Sequence, residues 1–265
     1  MKATSAAHYA QDFKAHADFG PSYATIAISC AAAVTKTRGM SGGSSIHARR
    51  GTAMHLAAFM VHNGQPMPKS LIVEGDVIEF DDEMIDIVNT YVTFCDLIKA
   101  DSDIFVMEER VSLDWYYAPQ PMPEPVHGTV DLGAYNATTM LLTIADLKTG
   151  RISVSPVDSA QLMIYAVGMI GQLGGHEMPK HIRLVIVQPT DPYNKIKHHT
   201  ITLAELMAWV REVLEPAIQR VADNDQTENA GPWCKWCRRA SECRSLHDLA
   251  LETTKAAFAD EPTPV

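Results

Sequence analysis

The spacing of apolar residues along this chain changes from helical to extended and back again. In Ala48–His62, Ala53, Leu56, Ala57 and Met60 recur at helical spacing. A Gly/Pro-bearing connection follows. Asp81–Ala100 then carries a longer stripe of Met84, Ile87, Val88, Tyr91, Val92, Cys95 and Ile98, which predicts an amphipathic helix. Ile104–Leu113, Val126–Tyr135 and Met140–Leu147 read as strands, the first two separated by the proline-rich APQPMPEP. Pro156 suits the start of a helix running through Gly171. Ile182–Val187 is a continuous apolar run, as expected of a strand covered on both faces, and Lys195–Ile201 reads as a further strand. Thr202 and Glu205 form a capping-box pattern opening a long helix with Leu206, Val210, Val213 and Leu214 inward. Pro216 is expected to bend or interrupt it.

This order predicts a mixed α/β core with helical flanks. No internal repeat is present and no linker divides the core. The expected organisation is a flexible arm over 1–20, one domain over 21–250, and a tail over 251–265, disordered after about Asp260.

Composition changes this picture little. Hydrophobic residues make up 46% and charged residues 20%, which is ordinary for a globular protein. No apolar run reaches the roughly 18 residues of a membrane span. Tyr23–Val34 is apolar but short and lacks a basic leader, so a cytoplasmic location is expected. The formal net charge of -10 argues against tight non-specific nucleic-acid binding, since that rests on Lys and Arg neutralising phosphates. Arg49-Arg50, Lys195–His199 and Arg238-Arg239 nevertheless supply local basic patches. Of five cysteines, Cys234, Cys237 and Cys243 cluster in WCKWCRRASEC, Cys30 lies far upstream, and Cys95 sits on an apolar helical stripe that places it in the core. Without a secretory signal, such clustering favours metal ligation over disulfides.

The strongest chemical signal is GTVDLGAY followed by ADLK. Asp131 lies within one expected strand, and Asp146 and Lys148 at the end of the next. Being two apart, Asp146 and Lys148 leave the same face. Two carboxylates beside an ammonium suit a hard cation such as Mg²⁺ or Mn²⁺ and the hydrolysis of a phosphodiester. The pattern D-x-K is also short and common, and fits an exposed pair at a strand end. Gln161 and Tyr165, four apart, share one helix face, where they serve either the site or the edge of the core. His55 is either a core histidine or a ligand; Glu109 in MEERV either reaches the site or lies exposed.

Together these residues resemble the RecB-like branch of the PD-(D/E)XK nucleases, which includes CRISPR-associated adaptation nucleases and phage-type exonucleases. The ordered motifs are Gly51–His55, Gly128–Asp131, Asp146–Lys148 and Gln161–Tyr165. Each is weak alone; four in series are specific. The resemblance implies a restriction-endonuclease-like fold, with a mixed central sheet flanked by helices, and a Mg²⁺- or Mn²⁺-dependent deoxyribonuclease, acting as an exonuclease on DNA ends or single strands in recombination, replication or repair; a phage origin is compatible with it. It implies that His55, Asp131, Asp146 and the Leu147 carbonyl hold the metal, that Lys148 is the catalytic lysine, and that Gln161 and Tyr165 position DNA or the lysine. Cys30 with Cys234, Cys237 and Cys243 matches the layout of family members whose four thiolates hold a 4Fe–4S cluster, a clasp across about two hundred residues. A structural Zn²⁺ is the alternative. Trp233 and Trp236 are read as shielding the cluster, with stacking on bases of single-stranded DNA as the alternative. A recombination or replication partner and an oligomer are compatible with this reading. The competing functions are a non-catalytic nucleic-acid or protein-binding module that keeps the fold, and an unrelated metal hydrolase acting on a small substrate.

Overall fold

The computed structural model describes residues 18–40 and 44–259. Two short helices, α1 (Ala24–Ser29) and α2 (Ala32–Thr35), precede the long α3 (Ile46–His62). A hairpin of β1 (Ser70–Val73) and β2 (Asp76–Glu79) leads into α4 (Asp82–Ala100). Next come β3 (Ile104–Ser112), the one-turn α5 (Asp114–Tyr117), β4 (His127–Asn136), β5 (Leu141–Leu147), α6 (Ala160–Ile170), β6 (His181–Val187) and β7 (Ile196–Thr202). The chain closes with α7 (Leu203–Trp209), a π-helical turn at Val210–Leu214, α8 (Glu215–Ala222) and α9 (Arg244–Ala259).

The helix starts follow from local chemistry. Ser45, Asp81 and Ser159 each accept a backbone N–H bond at the head of α3, α4 and α6, satisfying a donor that the helix itself leaves unpaired. Because Ser159 is the cap, α6 begins at Ala160, and Pro156 sits in the turn before it rather than at its first residue. The Thr202–Glu205 capping box forms as expected. Pro216 falls just after the π turn, which opens the hydrogen-bond ladder where proline cannot donate. The hairpin is an addition to the elements expected, for its two strands are only four residues each.

The strands order β3-β4-β5-β6-β7, with β5 and β6 parallel and every other pair antiparallel. A parallel neighbour needs a crossover, and α6 lies within it. Helices cover both faces. One core layer joins α6, α1, α2, α7 and α8 to the sheet through Leu142, Ile144, Ile182, Leu184 and Ile186. The other joins α3, α4 and the hairpin to it through Ala145, Leu147, Val185 and Val187. The molecule is therefore a mixed α/β protein with a five-stranded mixed sheet between helical layers. Gly133 and Gly168 let α6 lie directly on this sheet: an added Cβ would come within 2.7 Å of Met169 Sδ or of Val111 Cβ.

One irregularity shapes the site. Along β3, Phe105 and Met107 face the α3/α4 layer, whereas beyond Glu108 the odd residue Val111 faces the α6 layer. Along β4, Leu132 and Ala134 face α3/α4, but Val130 faces α6. Both strands thus reverse faces at one level. There the ladder skips from Met107↔Leu132 to Glu109↔Val130, and Glu108 takes a left-handed φ of 51°. The opposed residues freed at this break are Glu108 and Asp131.

Residues 1–17 of the expected arm and 260–265 of the expected tail lie outside the described residues, while 251–259 continue α9. Among the described residues no helix is long and apolar enough to cross a membrane.

Candidate functional site

His55 projects from the middle of α3 onto the break between β3 and β4. Its Nδ1 lies 3.1 Å from Glu108 Oε1 and 3.4 Å from Asp131 Oδ2. Ligand atoms of these three residues all fall within 4.8 Å of one another. Asp131 is buried, and its Oδ2 accepts a 2.7 Å bond from the Leu147 amide. That bond fixes the carboxylate against the end of β5.

Asp146 and Lys148 leave β5 on the α6 side, as their two-residue spacing requires. Lys148 Nζ is 2.8 Å from Asp146 Oδ2. Gln161, in the first turn of α6, spans the pair: Nε2 donates to Asp146 Oδ1 at 2.8 Å, while Oε1 accepts from Lys148 Nζ at 3.1 Å. Tyr165, one turn on, has its hydroxyl 3.5 Å from Gln161 Nε2. His55, Glu108, Asp131, Lys148 and Tyr165 line one cleft of about 560 Å³, walled also by Pro21, Gly128 and Ile72.

The electrostatics show an excess of negative charge. Burial alone would lower the pKa of His55, yet Asp131, Glu108 and Asp146 overcome it and raise the imidazole to about 10. Burial is also what most raises Asp131, helped by repulsion from Asp146 and Glu108 and opposed by His55. Lys148 is raised despite its burial because Asp146 holds its proton. Burial pushes the Tyr165 phenol up, so it stays protonated. Carboxylates crowded in a poorly solvated cleft favour a bound cation, and a set of two carboxylates and one imidazole can hold a divalent metal ion.

A second constellation lies where the chain ends meet. Cys30, in the break between α1 and α2, lines one small cavity with Cys234, Cys237 and Cys243. Backbone N–H groups point at two of the sulfurs: Asn229 N to Cys30 Sγ and Gly231 N to Cys234 Sγ, each at 3.4 Å. Glu228 reaches the same cavity, pairing with Lys36 Nζ at 2.8 Å and Arg239 at 3.3 Å. Cys95 is buried against α4's own core partners, away from this group.

A family profile described as "Protein of unknown function (DUF2800)" matches residues 16–264. The chain belongs to this family. No curated protein matches the DUF2800 chain. Among solved structures it is similar to "SSO0001", with a TM-score of 0.37 and 13% identity over 62% of this chain and 70% of that one. It is also similar to a "Putative exonuclease" from Eubacterium rectale, with a TM-score of 0.43 and 10% identity over 100% of this chain and 96% of that one.

The structure of this DUF2800 protein thus brings His55, Asp131, Asp146, Lys148, Gln161 and Tyr165 into one neighbourhood, and Cys30, Cys234, Cys237 and Cys243 into another. Leu147 contributes its amide to Asp131, and its side chain is core. Sequence reasoning missed Glu108; of the two readings left open for Glu109, the exposed one holds. Simple alternation along MEERV does not announce the face reversal. It also missed Glu228, an acid in a polar loop with no pattern of its own.

Proposed function

We propose that this protein is a metal-dependent deoxyribonuclease of the PD-(D/E)XK type. What carries the reading is the cleft shared by His55, Glu108, Asp131 and Lys148, with Lys148 bonded in turn to Asp146 and Gln161. The four motifs spaced along the chain supply all of these residues except Glu108, in order. On the resemblance, His55, Asp131 and Asp146, with the Leu147 carbonyl, would hold Mg²⁺ or Mn²⁺; the ligand atoms that lie together are those of His55, Asp131 and Glu108, while Asp146 is engaged by Lys148 and Gln161. When bound, the ion supplies Lewis acidity toward a phosphoryl oxygen and a water of lowered pKa.

The side chains do the rest. Lys148, kept protonated by Asp146, places a positive charge where the pentavalent phosphate accumulates negative charge. Gln161 bonds both Asp146 and Lys148 and so sets the direction of each. Tyr165 stays a neutral donor at the cleft wall. Proteins with this site would act on DNA ends or single strands in recombination, replication or repair, in a phage or its host.

The test is incubation of the protein and its Lys148→Ala variant with Mn²⁺ and end-labelled single- and double-stranded DNA. Wild type should cleave, and the variant should lose on the order of 10²–10³ in rate, as for removal of one preorganised charge-stabilising donor. Equal cleavage by both would show that Lys148 has no catalytic role. Binding without cleavage would favour a non-catalytic module, and turnover of a model phosphodiester but not of DNA would favour a small-molecule hydrolase.

We further infer that the four cysteines hold a 4Fe–4S cluster. The amide donors aimed at Cys30 and Cys234 suit thiolate sulfur. A structural Zn²⁺ held by the same four thiolates is the alternative. Iron and acid-labile sulfide in anaerobically purified protein are expected; stoichiometric zinc instead would reverse the assignment.

A further inference from the structure

The hairpin β1–β2 presents an unexplained surface. Its inner face, Leu71, Val73 and Ile78, packs into the α3/α4 core layer. Its outer face carries Ile72 and Val77, which are register partners and stand 68% and 64% exposed. Folding the hairpin does not need this outer pair, since the inner face already anchors it. The ribbon is held in place: Glu74 and Gly75 both take positive φ (50° and 90°), the two-residue turn that matches strand twist, and Asp76 pairs with Arg49 at 2.8 Å. Ile72 lines the same cleft as His55, Glu108, Asp131 and Lys148.

We propose that Ile72 and Val77 form an apolar wedge that takes the face of a nucleobase belonging to the strand whose phosphate lies at the metal-binding carboxylates, so that the strand enters unpaired. The proposal rests on the phosphodiesterase reading of the cleft. A phosphate held at the carboxylates carries its base one sugar away, along the cleft wall. The hairpin itself has Glu74, Asp76 and Glu79 and no Lys or Arg between Ser70 and Glu79; Asp76 is paired with Arg49, and the other two carboxylates disfavour phosphates, so contact through bases is favoured on its outer face. Aliphatic side chains of this kind insert against bases, at the cost of unstacking them. A duplex bears that cost in full, and a single strand or frayed end far less. Self-association is the weaker occupant, because two side chains fall far short of the roughly 1,000 Å² of a stable protein interface.

The experiment compares wild type, Ile72→Ser/Val77→Ser and Ile72→Trp, with Ca²⁺ replacing Mn²⁺ so that binding is read without turnover. The probes are an end-labelled single-stranded oligodeoxynucleotide, its abasic counterpart and its duplex, followed by fluorescence anisotropy. Wild type should prefer the intact single strand to the abasic one by about tenfold, the scale of one stacked base. The serine variant should bind both equally and weakly, and the tryptophan variant should widen the preference. Thermal melts establish that each exposed-site variant folds. Equal preference in wild type and serine variant, or no binding by either, overturns the wedge. A change in sedimentation without a change in base preference would make the face a self-contact and also overturn it. Cleavage that depends on Lys148 but is indifferent to abasic sites would sink the wedge alone. Base-dependent binding without cleavage would keep the wedge and sink the nuclease reading.

Discussion

Glu108 sits in a left-handed backbone conformation that a glutamate adopts only when its surroundings impose it, at a cost of about 1–3 kcal/mol. What it gains is position: the face reversal aims its carboxylate at His55 rather than into a core layer. If Glu108 belongs to the ligand set, Glu108→Gln should weaken Mn²⁺ binding by roughly ten- to a hundredfold, while Glu109→Gln leaves it unchanged. Titration calorimetry on the purified variants reads this directly. Unaltered affinity in Glu108→Gln would leave His55 and the aspartates as the only ligands. None of this was legible from MEERV, where the two glutamates are equivalent in sequence. Asp131, Asp146 and Lys148 were legible, because a two-residue spacing on one strand determines the face and apolar neighbours determine the strand.

At the scale of elements, the segment between Lys148 and α6 has no regular structure, yet it is held firmly. Gln188, fully buried after β6, donates to the carbonyls of Gly150 (2.7 Å) and Ile152 (2.8 Å) and accepts from Val154 N at 3.0 Å. Lys197 on β7 ties the same loop through Ser153, Gln188 and Asp191, and its bond is what chiefly holds the Asp191 carboxyl well below the usual range. This clamp holds the loop that joins Lys148, one residue past β5, to Gln161 on α6. Gln188→Ala leaves buried backbone groups without partners. It should cost roughly 1–3 kcal/mol in a urea titration and lower turnover through Lys148 as well. A midpoint equal to wild type would mean that water or neighbours replace the amide. The strand IRLVIV was readable from its apolar run; the task of the polar residue just past its end was not, because its partners come from a loop nearly forty positions earlier.

For the whole molecule, the cysteine cavity joins α1 and α2 to the segment after α8, and Glu228 is its charged fastening. The hydrogen bond from Lys36, the largest influence, lowers the Glu228 carboxyl from 4.5 to about 2 despite partial burial. Its stabilising effect is therefore complete above pH 4.5 and fades as the pH falls toward 2. Fluorescence of Trp233 and Trp236 should report loosening of this region across that window in wild type. Glu228→Gln should start looser and stay flat there; superimposable acid profiles would show that Glu228 fastens nothing. The succession of helices and strands, apart from the hairpin, and the clustering of three cysteines follow from the chain itself, since periodicity, capping residues and short spacings are local and each segment carries its own. The meeting of Cys30 with its distant partners, the joint reversal of β3 and β4 that delivers Glu108, and the hairpin over the cleft were decided only by tertiary packing. In each of these the deciding contact lies between segments far apart in order, and no local pattern records which distant residue will face it.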